Sequence, residues 1–280
     1  MTGELHCHSR FSDGTMSVDD LVFYAKKIGL GFLSITDHDT LAGVTRAAVV
    51  GRRYGVEVIA GCEISCYDTR RSRQAHILCY LPEKPDRLQG MLGRILESRQ
   101  KAGLEMVERL RRIYPITNDY FLRYSAGSQA IYKVHLMHAL MDQGYTDRIY
   151  GELYHELFDK GGRCYIPLEY PDVRDAVDLI HSAGGLAVLA HPGTYDSYEL
   201  LAELLAEGRL DGVEANYPSA TQQDREILEQ LLEGSSVIRT GGTDFHGFYS
   251  RMPRPLGTCV TERDQLEKLY ACKENTKAKA

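Results

Sequence analysis

Short apolar runs alternate with amphipathic segments over the first and last parts of the chain. Seven such runs predict strands, at residues 3–5, 32–35, 56–60, 75–80, 186–190, 212–215 and 237–240. Between them, apolar residues recur three or four positions apart, which is the spacing of one helix face. This spacing predicts helices at residues 18–28, 40–54, 172–183 and 220–233, and a further helix that ends at residue 207. The alternation of strands and helices favours a parallel sheet or a barrel.

The alternation stops between about residues 85 and 167, where no strand-like run occurs. Leu, Arg, Glu and Met recur there at helical spacing and predict helices at 88–113, 131–143 and 148–160. The domain prediction is therefore a core formed by residues 1–85 and 166–280, with residues 86–165 inserted as a helical cap. The tail, residues 275–280, is expected to be frayed.

Composition limits the class of protein. The chain has 280 residues, of which 43% are hydrophobic and 26% charged, as is typical of a globular protein. It has no apolar run of about 18 residues and no apolar leader at its start, so no membrane partner is expected. Its seven cysteines include no CxxC pair, and we predict a cytoplasmic protein without disulfides. The net charge of −6 argues against a long nucleic-acid partner, and the oligomeric state stays open.

The candidate chemistry begins where the first predicted strand ends, in the sequence HCHSRFSDG. Because side chains alternate along a strand, His6 and His8 lie on one side of it, and Asp13 follows in the next turn. Two imidazoles and a carboxylate suit a divalent metal ion. The alternative is a pair of exposed histidines before a turn, and the HxH spacing alone leaves both interpretations open.

Further polar side chains stand at other strand ends and entries. The full set contains six histidines and three carboxylates: His6, His8, Asp13, His38, Glu63, His76, His191, Asp244 and His246. A mononuclear catalytic zinc needs only about three protein ligands, so nine candidates predict two or three ions. Three divalent ions would bring about six positive charges against three carboxylates, which favours an anionic substrate such as a phosphate ester. Asp37 and Asp39 either orient the ring of His38 or act as turn and helix-cap residues.

The motifs HCHSRFSDG, ITDHDT, GCEIS, AHILCY, LAHPG and GGTDFHG follow one another from residue 6 to residue 247. In this order they resemble the PHP (polymerase and histidinol phosphatase) family. The resemblance implies an α/β fold, namely a distorted (β/α)7 barrel, and three divalent metal ions (Mn, Fe or Zn). It implies one ion held by His6, His8, Glu63 and Asp244, a second held by Glu63, His76 and His191, and a third held by Asp13, His38 and His246.

Within the family, the chain is most similar to the branch of nucleotide phosphatases and short-RNA exonucleases. The resemblance implies a metal-dependent phosphoesterase that hydrolyses a small phosphate mono- or diester, such as a nucleoside 3′,5′-bisphosphate, by a metal-bridging hydroxide. The catalytic residues that it implies are Asp13, His38, Glu63, Asp244 and His246. In the insertion, Lys133 and His135 are predicted to bind the substrate phosphate.

Two positions depart from that branch. Lys133 stands where arginine is usual, and lysine supplies a point charge without a bidentate fork. Thr194 stands where a basic residue is common. These differences favour another small ester, such as a sugar phosphate or a cyclic phosphodiester. The alternatives are a histidinol phosphate phosphatase, a 5′-3′ exoribonuclease acting on short RNA and a non-catalytic metal-bound module. Glu214 is interpreted as a polar loop residue.

Overall fold

The computed structural model describes residues 1–277, and residues 278–280 of the predicted frayed tail lie outside the described residues. The fold belongs to the α/β class. Its strands are β1 (Gly3–Cys7), β2 (Phe32–Ile35), β3 (Glu57–Val58), β4 (Gly61–Asp68), β5 (Arg73–Tyr80), β6 (Leu186–Leu189), β7 (Gly212–Asn216) and β8 (Ile238–Gly241). Its α-helices are α1 (Val18–Lys27), α2 (Val44–Tyr54), α3 (Asp86–Arg111), α4 (Asn118–Leu122), α5 (Lys133–Asp142), α6 (Glu152–Phe158), α7 (Val173–Ser182), α8 (Tyr198–Ala206), α9 (Gln222–Leu231) and α10 (Arg263–Lys277). Helix α10 continues through residues 275–277, where a frayed tail was expected.

Local signals fix where helices begin. At the start of α1, Ser17 Oγ accepts the backbone N–H of Asp20 at 3.2 Å. At the start of α7, Asp172 Oδ1 accepts the backbone N–H of Arg174 at 2.9 Å. These caps satisfy donors that the first turn of a helix leaves without an internal partner.

The strands form two sheets, one with the order β1-β2-β3 and one with the order β4-β5-β6-β7-β8. The first sheet is parallel, but in the second the β4–β5 and β5–β6 pairs are antiparallel. The prediction of parallel neighbours is wrong for these pairs because the sequence interpretation missed β4. This strand of eight residues forms a hairpin with β5 and so reverses the chain direction within the sheet.

Two isolated bridges join the sheets at strand ends that carry polar motifs. Cys7, at the end of β1, pairs with Phe245, and His38, beyond β2, pairs with Glu63 in β4. The backbone N–H of Asp39 donates to the Glu63 carbonyl at 2.8 Å. The turn that carries His38 therefore lies against β4, and motifs from distant parts of the sequence meet at one place.

The segment between β5 and α7 contains four α-helices and, within the described chain, no strand. Helices α3, α5 and α6 lie where helices were predicted, and the short α4 was not foreseen. These helices share a hydrophobic cluster that includes Met106, Phe121 and Phe158. Tyr249, from the segment after β8, packs into the same cluster and so connects this segment to the end of the second sheet.

None of the helices within residues 1–277 is both long enough and apolar enough to cross a lipid bilayer. The longest of them, α3, has 26 residues and carries charged side chains along its length.

Candidate metal centre

Glu63 lies at the middle of the predicted ligand set, with its carboxylate close to ring nitrogens of five histidines. Its Oε2 lies 3.3 Å from His6 Nε2, 3.2 Å from His8 Nε2 and 3.2 Å from His38 Nδ1. Its Oε1 lies 2.7 Å from His76 Nδ1 and 3.0 Å from His191 Nε2. The hairpin position of β4 and the bridge to His38 produce this convergence, because both sheets contribute side chains to the same carboxylate.

The other two carboxylates complete the set. Asp13 Oδ1 lies 3.3 Å from His246 Nε2 and 3.7 Å from His8 Nδ1. Asp244 Oδ1 lies 3.4 Å from His8 Nε2 and 3.5 Å from His6 Nε2. The structure thus brings all nine predicted residues together.

The ligand atoms divide into three overlapping groups, each with atoms within 4.8 Å of one another. The groups are His6, His8, Glu63 and Asp244; His8, Asp13, His38 and His246; and His38, Glu63 and His76. The first contains the four residues predicted for one ion. The second contains the three residues predicted for another ion, Asp13, His38 and His246, together with His8. The third contains Glu63 and His76 as predicted, but with His38 in place of His191. Each pair of groups shares one residue.

Several buried atoms of this cluster have no hydrogen-bond partner. Among the described residues, six of them belong to predicted ligands: His6 Nε2, His8 Nε2, Asp13 Oδ1, His38 Nδ1, Glu63 Oε2 and His191 Nδ1. A buried polar atom without a partner costs about 1–3 kcal/mol. Six at one place indicate a ligand that supplies the missing contacts, and divalent cations prefer this set of nitrogen and oxygen donors. The residues present therefore fit the metal ions that the resemblance implies.

The carboxylates of the cluster are held in their ionised form. Burial acts to raise the pKa of Glu63, but the charges of His76 and His38 outweigh it and hold the pKa well below its usual value. Burial likewise acts to raise the pKa of Asp244, and the neighbouring charge of His246 helps to hold it well below its usual value. Ionised carboxylates are the form that binds metal ions.

Glu214 lies behind the cluster, and its interpretation as a polar loop residue is wrong. It is fully buried within β7. Its Oε1 lies 3.0 Å from His6 Nδ1, and its Oε2 accepts the backbone N–H of His191 at 2.8 Å. A proton held on Nδ1 by this carboxylate leaves Nε2 of His6 directed at Glu63. A charged residue in the middle of a short buried strand is the signal that could have identified Glu214 from the sequence.

Asp37 and Asp39 fix loops, and among the described residues neither is hydrogen-bonded to the ring of His38. Asp37 accepts hydrogen bonds from the backbone and hydroxyl of Ser9, at 2.7 and 2.6 Å, and from Ser12 Oγ at 2.7 Å. Asp39 accepts the backbone N–H of Ser65 at 2.8 Å. Of the two interpretations of these aspartates, the structure supports the one in which they stabilise turns.

The backbone around the cluster is tightly constrained. His191 and Asp244 have φ angles of 24° and 49°, values that are uncommon for residues other than glycine and that cluster at functional sites. Gly242 lies against His6, and a Cβ at this position would be 2.3 Å from the His6 Cβ. Only glycine allows the segment after β8 to approach β1 this closely.

The cluster forms one side of a cavity of about 550 Å³, a size that suits a small molecule. Four cationic side chains also line it: Arg99 and Lys133 from α3 and α5, and Arg251 and Arg254 from the segment after β8. Arg254 Nη1 donates to Asp244 Oδ2 at 3.2 Å. Lys133 is predicted from the sequence, whereas the three arginines are not, because no motif contains them.

The two substrate ligands predicted in the insertion differ in their positions. Lys133 lines the cavity, with its Nζ donating to the Phe158 carbonyl at 3.2 Å. His135 is only 2% exposed and is not among the residues that line the cavity. Its Nδ1 accepts the backbone N–H of Tyr132 at 3.2 Å, which caps α5. The substrate contact predicted for His135 therefore stays a prediction without support from this geometry, because the buried ring is not part of the cavity lining.

Comparison with known proteins identifies the family of this fold. A family model described as the PHP domain matches residues 4–252. The phosphoribosyl 1,2-cyclic phosphate 1,2-diphosphodiesterase of Eggerthella lenta is 39% identical over 255 residues, which are 90% of this chain and 97% of that protein. The 5′-3′ exoribonuclease of Haemophilus influenzae is 28% identical over 249 residues, which are 87% of this chain and 89% of that protein.

Among solved structures, a candidate metal-dependent phosphoesterase from Bifidobacterium adolescentis superposes with a TM-score of 0.86 at 29% sequence identity. The superposition covers 97% of this chain and 96% of that one. The family model and these relatives each match most of the chain, which confirms the family resemblance seen in the motifs. The chain belongs to the PHP domain family of metal-dependent phosphoesterases.

Proposed function

We propose that this enzyme hydrolyses the cyclic phosphodiester of a small phosphorylated sugar, of the kind named in its Eggerthella lenta relative, a phosphoribosyl 1,2-cyclic phosphate. The observation that carries the proposal is one cavity of about 550 Å³ that is lined both by seven of the nine cluster residues and by four cationic side chains. A phosphoribosyl cyclic phosphate has two separate anionic groups. The cyclic phosphate would lie at the cluster, beside Arg254, and the second phosphate would lie at Lys133.

We also propose that the cluster holds three divalent ions, Mn, Fe or Zn, one at each of its three residue groups. The position of Glu63 in two of the groups supports this, because a carboxylate has two oxygens and could hold two neighbouring ions. When bound, such ions lower the pKa of water and stabilise charge on phosphoryl oxygens.

The residues of the chain then orient the substrate. Arg254 pairs with Oδ2 of Asp244, while Oδ1 of the same carboxylate faces His6 and His8. A guanidinium in this position can donate to an oxygen of the phosphate that reacts beside the cluster. Lys133 lies in the same cavity and would contact the second phosphate as a point charge.

The proposed architecture is a distorted (β/α)7 barrel formed by residues 1–85 and 166–280, with residues 86–165 as a helical cap. The bridges between the two sheets support the barrel, and the separate hydrophobic cluster of α3 to α6 supports the cap. We propose that the enzyme is cytoplasmic, which is consistent with cysteines that form no disulfide within the described residues.

A substrate panel tests the proposal. Protein reconstituted with Mn²⁺ would be given 5-phosphoribosyl 1,2-cyclic phosphate, a nucleoside 3′,5′-bisphosphate, histidinol phosphate and an end-labelled short RNA. Phosphorus NMR distinguishes the cyclic diester from monoester and free phosphate, and a gel follows the RNA. We expect kcat/KM to be highest for the cyclic phosphate by at least about tenfold, a difference of about 1.4 kcal/mol in transition-state binding. A higher value for any other substrate contradicts the proposal.

A further inference from the structure

Arg99 of α3 reaches from the helical segment to the turn that carries His38. Its Nη2 lies 3.0 Å from Asp39 Oδ2 and 3.0 Å from Ser65 Oγ and donates to both. Asp39 directly follows His38, and Ser65 lies in β4 two residues beyond Glu63. The ion pair therefore lies beside two of the predicted metal ligands.

The carboxylate of Asp39 is buried and bound to β4. Its Oδ1 accepts the backbone N–H of Ser65 at 2.8 Å, and its Oδ2 accepts the Ser65 hydroxyl at 3.0 Å. The Asp39 side chain is fully buried. Within the described residues, Arg99 is the cationic side chain that pairs with it, at 3.0 Å. A buried carboxylate without a cationic partner is strongly unfavourable, so Arg99 supplies the charge that this position requires.

Arg99 is itself held in one place. Its guanidinium carbon lies 4.6 Å from the centre of the Tyr132 ring and 5.8 Å from that of Tyr170. The side chain is 11% exposed, and the hydroxyl of Tyr132 donates to the His38 carbonyl at 3.4 Å. Two side chains from the helical segment, Arg99 and Tyr132, thus contact the turn around His38. Because it is packed in this way, the Arg99–Asp39 pair differs from exposed ion pairs, which contribute little to stability.

We propose that Arg99 is a positioning residue of the metal centre, which keeps Asp39 bound to β4 and prevents it from replacing His38 as a ligand. The inference rests on the proposed metal centre. Without Arg99, Asp39 would be an unneutralised buried carboxylate one residue from His38. Divalent ions would be the nearest available positive charge, and Asp39 would compete for them with the intended ligands.

Calorimetric titration of the metal-free protein with Mn²⁺ tests this without using activity. We expect Arg99→Met to weaken one class of sites about 10- to 100-fold, as removal of residues that support metal ligands commonly does. Adding Asp39→Asn to this variant should restore most of the affinity, because the neutral amide needs no cation and competes poorly for metal. Arg99→Lys, which keeps the charge but loses the stacked guanidinium, should lose less affinity than Arg99→Met does. Arg94→Met, an exposed position on the same helix, is the matched control and should leave binding unchanged.

Several outcomes would overturn the inference. One is an Arg99→Met variant that is folded, as judged by circular dichroism, and that binds Mn²⁺ with the wild-type affinity. Another is a loss of Mn²⁺ affinity in Arg99→Met that the added Asp39→Asn does not relieve, or that Arg99→Lys shows to the same extent. Arg99 would then act on the fold or on the substrate. If the wild-type protein bound no Mn²⁺, the proposed metal centre would fail as well, and this result differs from the others because it appears before any variant is made.

Discussion

Glu214 Oε1 lies 3.0 Å from Nδ1 of His6, and neither side chain is exposed to solvent. The other oxygen of Glu214 accepts the backbone N–H of His191. One carboxylate therefore sets the ring orientation of one candidate ligand and the backbone position of another. Hydrogen bonds of this kind from behind a ligand fix its tautomer and increase its basicity.

Glu214→Gln should weaken Mn²⁺ binding about 10- to 100-fold, because an amide is a poorer acceptor for the Nδ1–H of His6 than a carboxylate. Titration calorimetry on the metal-free protein measures this. The exposed Glu233→Gln is the control and should bind as the wild type does. Unchanged affinity in Glu214→Gln would show that this contact does not support the site.

Asp13→Asn and His246→Asn should each reduce kcat by more than about 100-fold. This exceeds the loss of activity that usually follows replacement of a residue that only supports a metal ligand. Both side chains face the cluster, and their candidate ligand atoms lie 3.3 Å apart. The melting temperature of the metal-free variants should stay near that of the metal-free wild type, since neither residue belongs to the hydrophobic clusters. A parallel loss of activity and stability would instead indicate a structural role.

Gly242→Ala should destabilise the protein by about 1–3 kcal/mol, the usual cost of inserting an atom into a packed site. The added Cβ would lie 2.3 Å from the His6 Cβ, so Mn²⁺ affinity should fall as well. Gly93→Ala is the matched control, because Gly93 lies in α3 and a methyl group added there would meet open space among the described residues. It should raise the free energy of unfolding by about 0.5–1 kcal/mol. Urea denaturation of both variants measures the difference, and equal stability of the two would contradict the steric argument.

His135 predicts a pH dependence of stability, because its side chain is buried. Its burial lowers its pKa from 6.5 to about 4. Between these two values the unfolded chain binds more protons than the folded one, so the free energy of unfolding falls as the pH falls through this window. One such group contributes at most about 1.4 kcal/mol per pH unit.

His135→Asn removes this titration while leaving an acceptor for the backbone N–H of Tyr132. Urea denaturation of both proteins, with chelator present, should show the wild type losing stability relative to the variant as the pH falls from about 6.5 to about 4. A constant difference between the two proteins across this range would contradict the assignment.

The candidate ligands could be found from the sequence because metal chemistry restricts them to a few residue types, and strand ends bring such residues together. All nine lie in the observed cluster. The residues behind them could not be found in this way. Glu214 is 208 positions from His6 in the chain, and its role depends on how the sheet that contains β7 meets the sheet that contains β1. Arg99 acts through a contact with a distant segment, and Arg254 acts through a contact with Asp244 in its own segment, but no local pattern predicts either contact. The hairpin of β4 and β5 was not predicted, because the residues around Glu63 were interpreted as a motif at a strand end and not as part of a strand.

The central claim, that Glu63 and its neighbours hold the metal ions of a phosphoesterase, is tested most directly by anomalous diffraction at the manganese edge. Crystals grown with Mn²⁺ should show three peaks, one within coordination distance of each of the three residue groups that share His8, Glu63 and His38. Peaks elsewhere, or no peak beside Glu63, would contradict the account.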